Sequence, residues 1–176
     1  VSILGALATG YLSRKMGKRK LFIVSLILSG LLTAGFFWVP KGNIQAIFIL
    51  GCSAEFFAAM MPTLFFSMLG DSADYSEWKN GRRATGLIYS AGTFVQKTGG
   101  GFAGALVLIV LAGYGYDGMD KATIENALLG MKLLMSWIPA AFSFAAAALM
   151  MLYPLTDAKQ QQMGAELIQR RLDNPS

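Results

Sequence analysis

The sequence contains no histidine and a single cysteine, Cys52, among its 176 residues. Without histidine, no His/Cys zinc site can be built and no Ser–His or Cys–His pair is available for nucleophilic catalysis. Charged residues make up only 14% of the chain and hydrophobic residues 55%, whereas soluble domains carry roughly a quarter charged residues. The composition therefore argues against a soluble enzyme, and we expect no catalytic residue and no metal site.

A basic stripe of the kind that binds nucleic acid is also missing. Lysine and arginine outnumber aspartate and glutamate by 15 to 10. They cluster at the ends of apolar blocks, whereas nucleic-acid recognition calls for a basic stripe on one face. We therefore expect this chain to contact the lipid bilayer and not to bind nucleic acid.

Long uncharged apolar blocks are what the sequence has in abundance. A helix needs about 20 apolar residues to cross a hydrocarbon core of about 30 Å. Backbone groups in lipid must be hydrogen-bonded internally, so such blocks are helices. The blocks predict an all-α transmembrane bundle over 1–156 and a tail over 157–176. The bundle comprises the end of an earlier helix at 1–12 and spans at about 21–40, 44–70, 86–112 and 131–153.

Lysine and arginine are distributed unequally between the two ends of these spans. Two of them, Lys41 and Lys121, fall on one side. The other side holds eleven: Arg14, Lys15, Lys18, Arg19, Lys20, Lys79, Arg82, Arg83, Lys159, Arg170 and Arg171. Short cytoplasmic loops carry the excess of basic residues. We therefore expect loops 13–20 and 71–85 and the tail in the cytoplasm, and 113–127 outside.

Lys97 stands near the middle of the span 86–112. An ammonium at that depth costs a few kcal/mol or more unless it finds water or a counter-charge. Tyr89 and Thr93 precede it at helical spacing, so the three side chains share one face. This arrangement favours the lining of a polar pathway over a structural lysine that is paired within the bundle.

Glycines follow Lys97 in the same span. Gly99, Gly100 and Gly104 have the small-residue spacing that lets two helices approach closely, so we predict them as helix-contact residues. The same glycines would also permit a local break whose backbone groups line a cavity.

Glu55 is a second intramembrane charge, in the span 44–70. That span runs antiparallel to the one that carries Lys97, so the two charges are expected at similar depths. Glu55 could neutralise Lys97, or it could titrate as a carrier of a proton or cation. Ordinary packing in the bundle is a third interpretation, and the sequence leaves all three open.

A string of charges follows the span 44–70. Exposed ion pairs contribute only about 0–1 kcal/mol each, so a solvated loop is one interpretation. At the mouth of a helix bundle, such pairs can instead form a gate that closes one access state. We predict that this cytoplasmic gate comprises Asp71, Asp74, Glu77 and Arg83.

Three spaced motifs in this part of the chain resemble a known family. They read Asp71-x-x-Asp74-Tyr75-x-Glu77-Trp78-Lys79-x-Gly81-x-Arg83, Gly86-Leu87-x-Tyr89-Ser90 and Lys97-x-Gly99-Gly100. The combination resembles the glycoside–pentoside–hexuronide:cation symporters of the major facilitator superfamily. Residues 10–19 also resemble the loop motif of the wider superfamily, with Ser13 where that motif usually has aspartate.

The resemblance implies that the chain is a carboxyl-terminal fragment of a twelve-helix carrier. The four spans would be helices 9 to 12, and 1–12 the end of helix 8. Lys97 would lie near a cation site whose acidic ligands come mainly from the missing amino-terminal half, with Thr93 on the same face. That half is then the principal protein partner.

The function that the resemblance implies is symport of a sugar or glycoside with Na⁺ or H⁺ by alternating access in the bacterial inner membrane. No cofactor other than the coupling ion is expected. The alternative is a non-transporting membrane sensor or assembly module. Its docking surface would have to be the tail, where a weak apolar face comprises Met163, Leu167, Ile168 and Leu172. A channel is disfavoured because no ring of charges repeats.

Overall fold

The computed structural model describes residues 1–40, 42–120 and 123–173, with only the backbone of Asp157, Arg171 and Asp173. Lys41 and Lys121, the basic residues expected outside, lie beyond these ranges. The described residues form helices and no strand, which confirms the all-α prediction. The helices are α1 Ser2–Met16, α2 Lys18–Gly35, α3 Ile44–Ala58, α4 Met60–Asn80, α5 Thr85–Gly113, α6 Thr123–Met135, α7 Trp137–Met151 and α8 Asp157–Asp173, with a 3-10 turn at Phe36–Trp38.

Four stretches of the described chain are long and apolar enough to cross a membrane. They are Lys18–Trp38, Ile44–Asn80, Thr85–Gly113 and Thr123–Met151. Two of them consist of two consecutive helices, α3 with α4 and α6 with α7. The chain is therefore a multi-pass membrane protein.

Proline explains why these two stretches are divided. α3 ends at Ala58 and α6 ends at Met135. Pro62 and Pro139 each lie four residues later, where the ring clashes with the carbonyl of residue i−4 and no N–H is available. The blocks 44–70 and 131–153, each predicted as one span, are thus interrupted at the position that the proline dictates.

Both connections predicted as cytoplasmic loops are shorter in the structure. α4 continues through the charged string to Asn80 and ends at Gly81, whose φ of 69° places it in the left-handed region. Glycine suits this C-cap because it has no Cβ. The loop predicted at 13–20 is reduced to Gly17, with φ 83°, between α1 and α2.

The core of the bundle lies around α2, which contacts α1, α3, α4 and α7. Leu21 of α2 packs with Met60 and Leu64 of α4, and all three side chains are buried. α1 approaches the end of α3 closely at Gly5, where an added Cβ would meet the carbonyl oxygen of Phe56. These contacts fix α1, α2, α3 and α4 relative to one another.

α5 is the least covered of the spans. Gly92 is its one buried residue within the described chain, and its neighbours are α4 and α6. Large apolar side chains along it are exposed: Leu87, Phe94, Val95, Phe102, Leu108 and Ile109. Such a surface needs lipid or further protein to cover it.

Candidate functional site

Tyr89 fixes α5 to α4. Its hydroxyl donates a hydrogen bond to the carbonyl oxygen of Phe66, at 3.1 Å, and its ring stacks on the Phe66 ring with centroids 6.4 Å apart. The absence of a side chain at Gly70 leaves room for the hydroxyl, because a Cβ there would lie 3.2 Å from it. The structure therefore places Tyr89 in a helix–helix contact.

Thr93 and Lys97 follow on the same helix. The Thr93 hydroxyl donates to the carbonyl oxygen of Tyr89 in its own helix, at 2.6 Å, which leaves its oxygen lone pairs available as acceptors. Lys97, four residues further, is exposed. Within the described part of the chain no carboxylate lies within ion-pair distance of its ammonium. On this face of α5, Tyr89 thus contacts α4, whereas Lys97 lies on an exposed surface.

Glu55 lies apart from Lys97 in this structure. Its carboxylate is exposed and accepts a hydrogen bond from the Ser2 hydroxyl, at 2.9 Å, which joins α3 to α1. Among the described residues no ion pair joins Glu55 to Lys97. Glu55 therefore does not neutralise Lys97 in this conformation. The role of Glu55 as a carrier of a proton or cation stays a prediction.

The glycines after Lys97 make no close helix contact within the described part of the chain. A Cβ added at Gly99, Gly100 or Gly104 would meet nothing within 4 Å among the described residues, so their predicted helix contacts stay a prediction for protein outside this chain. The local break that they could have permitted is absent, because α5 is helical throughout.

The close contact on α5 lies earlier, at Gly92. A Cβ at this position would lie 2.5 Å from a methyl carbon of Leu69, so glycine is what lets α5 pack on α4 here. Gly92 was not among the predicted contact residues. The run of four small residues at 90–93 is the sequence signal that identifies it.

Five charged residues gather where α1, α2 and α4 meet, and we call them the charged cluster: Lys18, Asp71, Asp74, Glu77 and Arg83. Nη2 of Arg83 lies 2.8 Å from Oδ1 of Asp74, and Nε lies 3.6 Å from Oε2 of Glu77. These pairs are local to the end of α4 and the turn that follows it. The Arg83 side chain remains 49% exposed.

Asp71 has a different partner from the one expected. Asp71 pairs with a residue outside the predicted gate: the Lys18 ammonium lies 2.7 Å from its Oδ1 and 2.8 Å from its Oδ2. Asp71 is three residues deeper along α4 than Asp74, about 4.5 Å at 1.5 Å per residue, so Lys18 at the start of α2 reaches it instead.

Two further residues of this region escaped the sequence reasoning. Lys18 belongs to the loop motif at 10–19, and that membership is the signal that could have identified it. Gln160 of α8 donates a hydrogen bond to Oδ2 of Asp71, at 3.0 Å. No sequence signal points to this contact between residues 89 positions apart.

The tail helix α8 packs on α4 beside the charged cluster. Met163 and Leu167 are buried in this contact, whereas Ile168 and Leu172 are exposed. The ammonium of Lys159 lies 5.4 Å from the centre of the Tyr75 ring, within the range of a cation–π interaction. The described part of the tail therefore lies along the bundle.

Polar contacts add to this docking. The Trp78 indole N–H donates to Oε2 of Glu166, at 2.6 Å, and Arg170 donates to the Trp78 carbonyl oxygen, at 3.0 Å. The Trp78 hydrogen bond, followed by one from Gln162, lowers the pKa of Glu166 below its ordinary value. Glu166 is thus held ionised in the docked tail.

Several known proteins similar to this chain are named as carriers, transporters or symporters. The glucuronide carrier protein homolog of Escherichia coli is 26% identical over 89% of this chain and 34% of its own length. The isoprimeverose transporter of Lactiplantibacillus pentosus is 29% identical over 97% of this chain and 35% of its own length. The putative glycoside/cation symporter YagG of E. coli is 27% identical over 97% of this chain and 37% of its own length.

The chain thus spans about a third of the length of these three relatives. No solved structure matches it significantly. The family model described as MFS/sugar transport protein matches residues 1–157. The chain therefore belongs to the MFS/sugar transport protein family, and the resemblance to the glycoside–pentoside–hexuronide:cation symporters is confirmed.

Proposed function

We propose that the chain is the carboxyl-terminal part of a carrier that moves a sugar or glycoside together with Na⁺ or H⁺ across the bacterial inner membrane. The observation that carries this proposal is the family match over residues 1–157. The chain's coverage of about a third of its relatives supports a larger carrier in which an amino-terminal half packs against this bundle. The open surface of α5 is the contact area that this half would cover.

Lys97 would take part in coupling the ion to the sugar. Its ammonium lies on the open face of α5, without a carboxylate partner among the described residues. An intramembrane cation needs a counter-charge, and the amino-terminal half would supply it as an acid of the cation site. Lys97 would then share ligands with the ion and influence its affinity.

The charged cluster would act as the gate on the cytoplasmic side. Its ion pairs lie within one half of the carrier, so they alone cannot hold two halves together. The half-exposed Arg83 guanidinium has N–H donors left for a partner on the other half. Alternating access would then make and break that additional contact, while the pairs with Asp74 and Glu77 keep Arg83 in position.

Orientation follows from the unequal distribution of basic residues. The charged cluster, the residues 71–85 around it and the tail would face the cytoplasm, and residues 113–127 would face outside. The alternative function, a sensor or assembly module, loses support because Met163 and Leu167 of the tail are buried against α4.

Counterflow in vesicles tests this function. The full carrier would be reconstituted, loaded with one candidate glycoside and given labelled glycoside outside, with and without Na⁺, beside protein-free vesicles. We expect carrier-dependent counterflow of at least one glycoside and stimulation by Na⁺ or by a proton gradient. The absence of counterflow for a broad glycoside set, in protein that is correctly folded, would contradict sugar transport.

A further inference from the structure

A cationic pocket lies at the membrane boundary, between the turn that joins α1 to α2 and the tail helix α8. Its volume is about 570 Å³. Four basic side chains line it, together with two amide side chains from α8: Arg14, Lys15, Lys18, Lys20, Gln160 and Gln161. The symport mechanism described above uses none of these residues except Lys18.

The charge of this pocket is only partly neutralised. Lys18 is paired with Asp71, but no carboxylate among the described residues lies within ion-pair distance of Arg14, Lys15 or Lys20. Arg19 is not part of the lining, because its guanidinium donates to the carbonyl oxygen of Met151 on α7. Three cations therefore face a shared space, and none of them has an ion-pair partner among the residues that the structure describes.

The donors around the pocket suit an oxyanion. Arginine offers several N–H donors in a plane and lysine offers three, while the amide of Gln161 can donate from the opposite wall. α2 begins at Lys18 without a side-chain cap and without an acid in its first turn, so its first N–H groups add to the same positive field.

The position of the pocket indicates where such an anion would come from. Lys18 is also the first residue of the candidate span Lys18–Trp38, and the end of a span is where lipid headgroups are expected. Basic pockets between membrane helices bind anionic headgroups, and each Lys or Arg near the surface contributes about 1 kcal/mol.

We propose that this pocket binds a phosphate group, carried by an anionic phospholipid headgroup or by a soluble phosphoester. The bound phosphate contacts Arg14, Lys15 and Lys20 from the α1–α2 turn and Gln161 from α8. Because Gln160 connects the same wall to Asp71, the ligand also stabilises the docked position of the tail.

Binding is measured on the detergent-solubilised full carrier, without any transport assay. Native mass spectrometry compares a phosphatidylglycerol with a phosphatidylcholine of the same acyl chains, and calorimetry tests glycerol 3-phosphate and inorganic phosphate. Preferential binding of phosphatidylglycerol assigns the lipid source, and binding of either soluble anion assigns the soluble source. Failure of all three anions, or equal binding of both lipids with no soluble anion bound, overturns the proposal.

Matched variants separate the pocket from general surface charge. The triple variant Arg14→Gln, Lys15→Gln, Lys20→Gln should weaken anion binding by at least about tenfold. The control Lys79→Gln, Arg82→Gln, Lys132→Gln removes the same charge outside the pocket and should change binding by less than about twofold. Equal loss in both variants overturns the proposal.

The single change Gln161→Glu provides a second test of the pocket if the triple variant does not fold. It adds a carboxylate to the pocket wall at almost unchanged volume and should also weaken binding. Unchanged binding in this variant places the anion elsewhere. The outcome of these measurements is independent of whether the carrier moves a sugar.

Discussion

Lys18 at the start of α2 and Asp71 on α4 form an ion pair that joins two spans, with the ammonium 2.7 Å from Oδ1. Both side chains are largely covered, with 30% of Lys18 and 16% of Asp71 exposed. Gln160 adds a hydrogen bond from the tail to the same carboxylate. The pair thus holds α2, α4 and α8 together at the end of the bundle that carries the charges.

Removal of Lys18 should destabilise the bundle. The change Lys18→Met leaves the largely covered Asp71 carboxylate with one partner fewer, and we expect a loss of about 1–2 kcal/mol in the free energy of unfolding. Titration with SDS in mixed micelles measures it. Lys15→Met, which removes a cation without an ion-pair partner among the described residues, is the control. Lys18→Met is also made in an Asp71→Asn background. If it lowers the free energy of unfolding equally in both backgrounds, the ion pair contributes nothing to stability.

Arg83 should affect transport more than folding. Its side chain is half-exposed, so loss of its pairs with Asp74 and Glu77 should cost at most about 1 kcal/mol of stability. We expect Arg83→Ala to reduce active accumulation of sugar and to leave sugar binding largely intact. Accumulation in vesicles and equilibrium binding are compared with those of Arg82→Ala. Loss of binding without a change in accumulation per bound sugar would refute the gate.

The docking of the tail should weaken in acid. The pKa of Glu166 is lowered from its ordinary value of 4.5 when the Trp78 N–H and the Gln162 amide hydrogen-bond to it. The ionised Glu166 therefore stabilises docking fully at a pH above that ordinary pKa. This stabilisation is lost as the pH falls through the lowered pKa. With Trp78 as the only tryptophan, after Trp38→Phe, Trp137→Phe and replacement of every tryptophan in the rest of the carrier, its emission should change as the pH falls below about 4.5.

Glu166→Gln is the control for this acid transition. It removes the titrating group at nearly constant size, so the change in Trp78 emission should disappear. The same transition in Glu166→Gln would mean that a group other than Glu166 controls the docking.

The topology can be tested with two cysteines. In a background in which Cys52 and every cysteine in the rest of the carrier are replaced by alanine, cysteines at Asn80 and Asp120 should react with an impermeant maleimide from opposite faces of the membrane. The reason is that the basic residues lie almost entirely at the end of the bundle that includes Asn80. Modification of both positions from the same face would invalidate the span assignment.

The helices and their apolar spans were predictable from the sequence, because uncharged blocks of this length have no other stable form in lipid. The helix ends at Ala58 and Met135 also follow from Pro62 and Pro139, although the two blocks were each predicted as one span. The helical state of 71–80 was missed because its charges suggest a solvated loop. This helix ends at Gly81, where glycine suits the left-handed conformation of the C-cap.

The candidate site was less predictable, because it depends on contacts between distant parts of the chain. Lys18 and Asp71 are 53 residues apart, and no local spacing relates them. Tyr89 and Lys97 were correctly placed on α5, but the sequence could not distinguish a face that contacts α4 from one that is open. Lys97 has no carboxylate within ion-pair distance among the described residues, so a counter-charge from the other half of the carrier stays a prediction.

Lys97 gives the central claim its sharpest test. Lys97→Ala would leave the acids of the cation site without their lysine partner, so coupling should fail while downhill sugar exchange partly survives. Lys97→Arg should not restore coupling, because a planar guanidinium cannot replace a compact ammonium. Glu55→Gln is measured beside them, because its carboxylate contacts Ser2 and not Lys97: intact coupling in Glu55→Gln assigns the effect to Lys97, and lost coupling there would mean that Glu55 itself carries the ion.

The decisive measurement is sugar accumulation driven by an ion gradient in vesicles that contain the full carrier, wild type or Lys97→Ala. The account predicts accumulation above the external concentration for the wild type. For Lys97→Ala it predicts exchange without accumulation. Normal ion-driven accumulation in Lys97→Ala would contradict the account and reduce Lys97 to a packing residue.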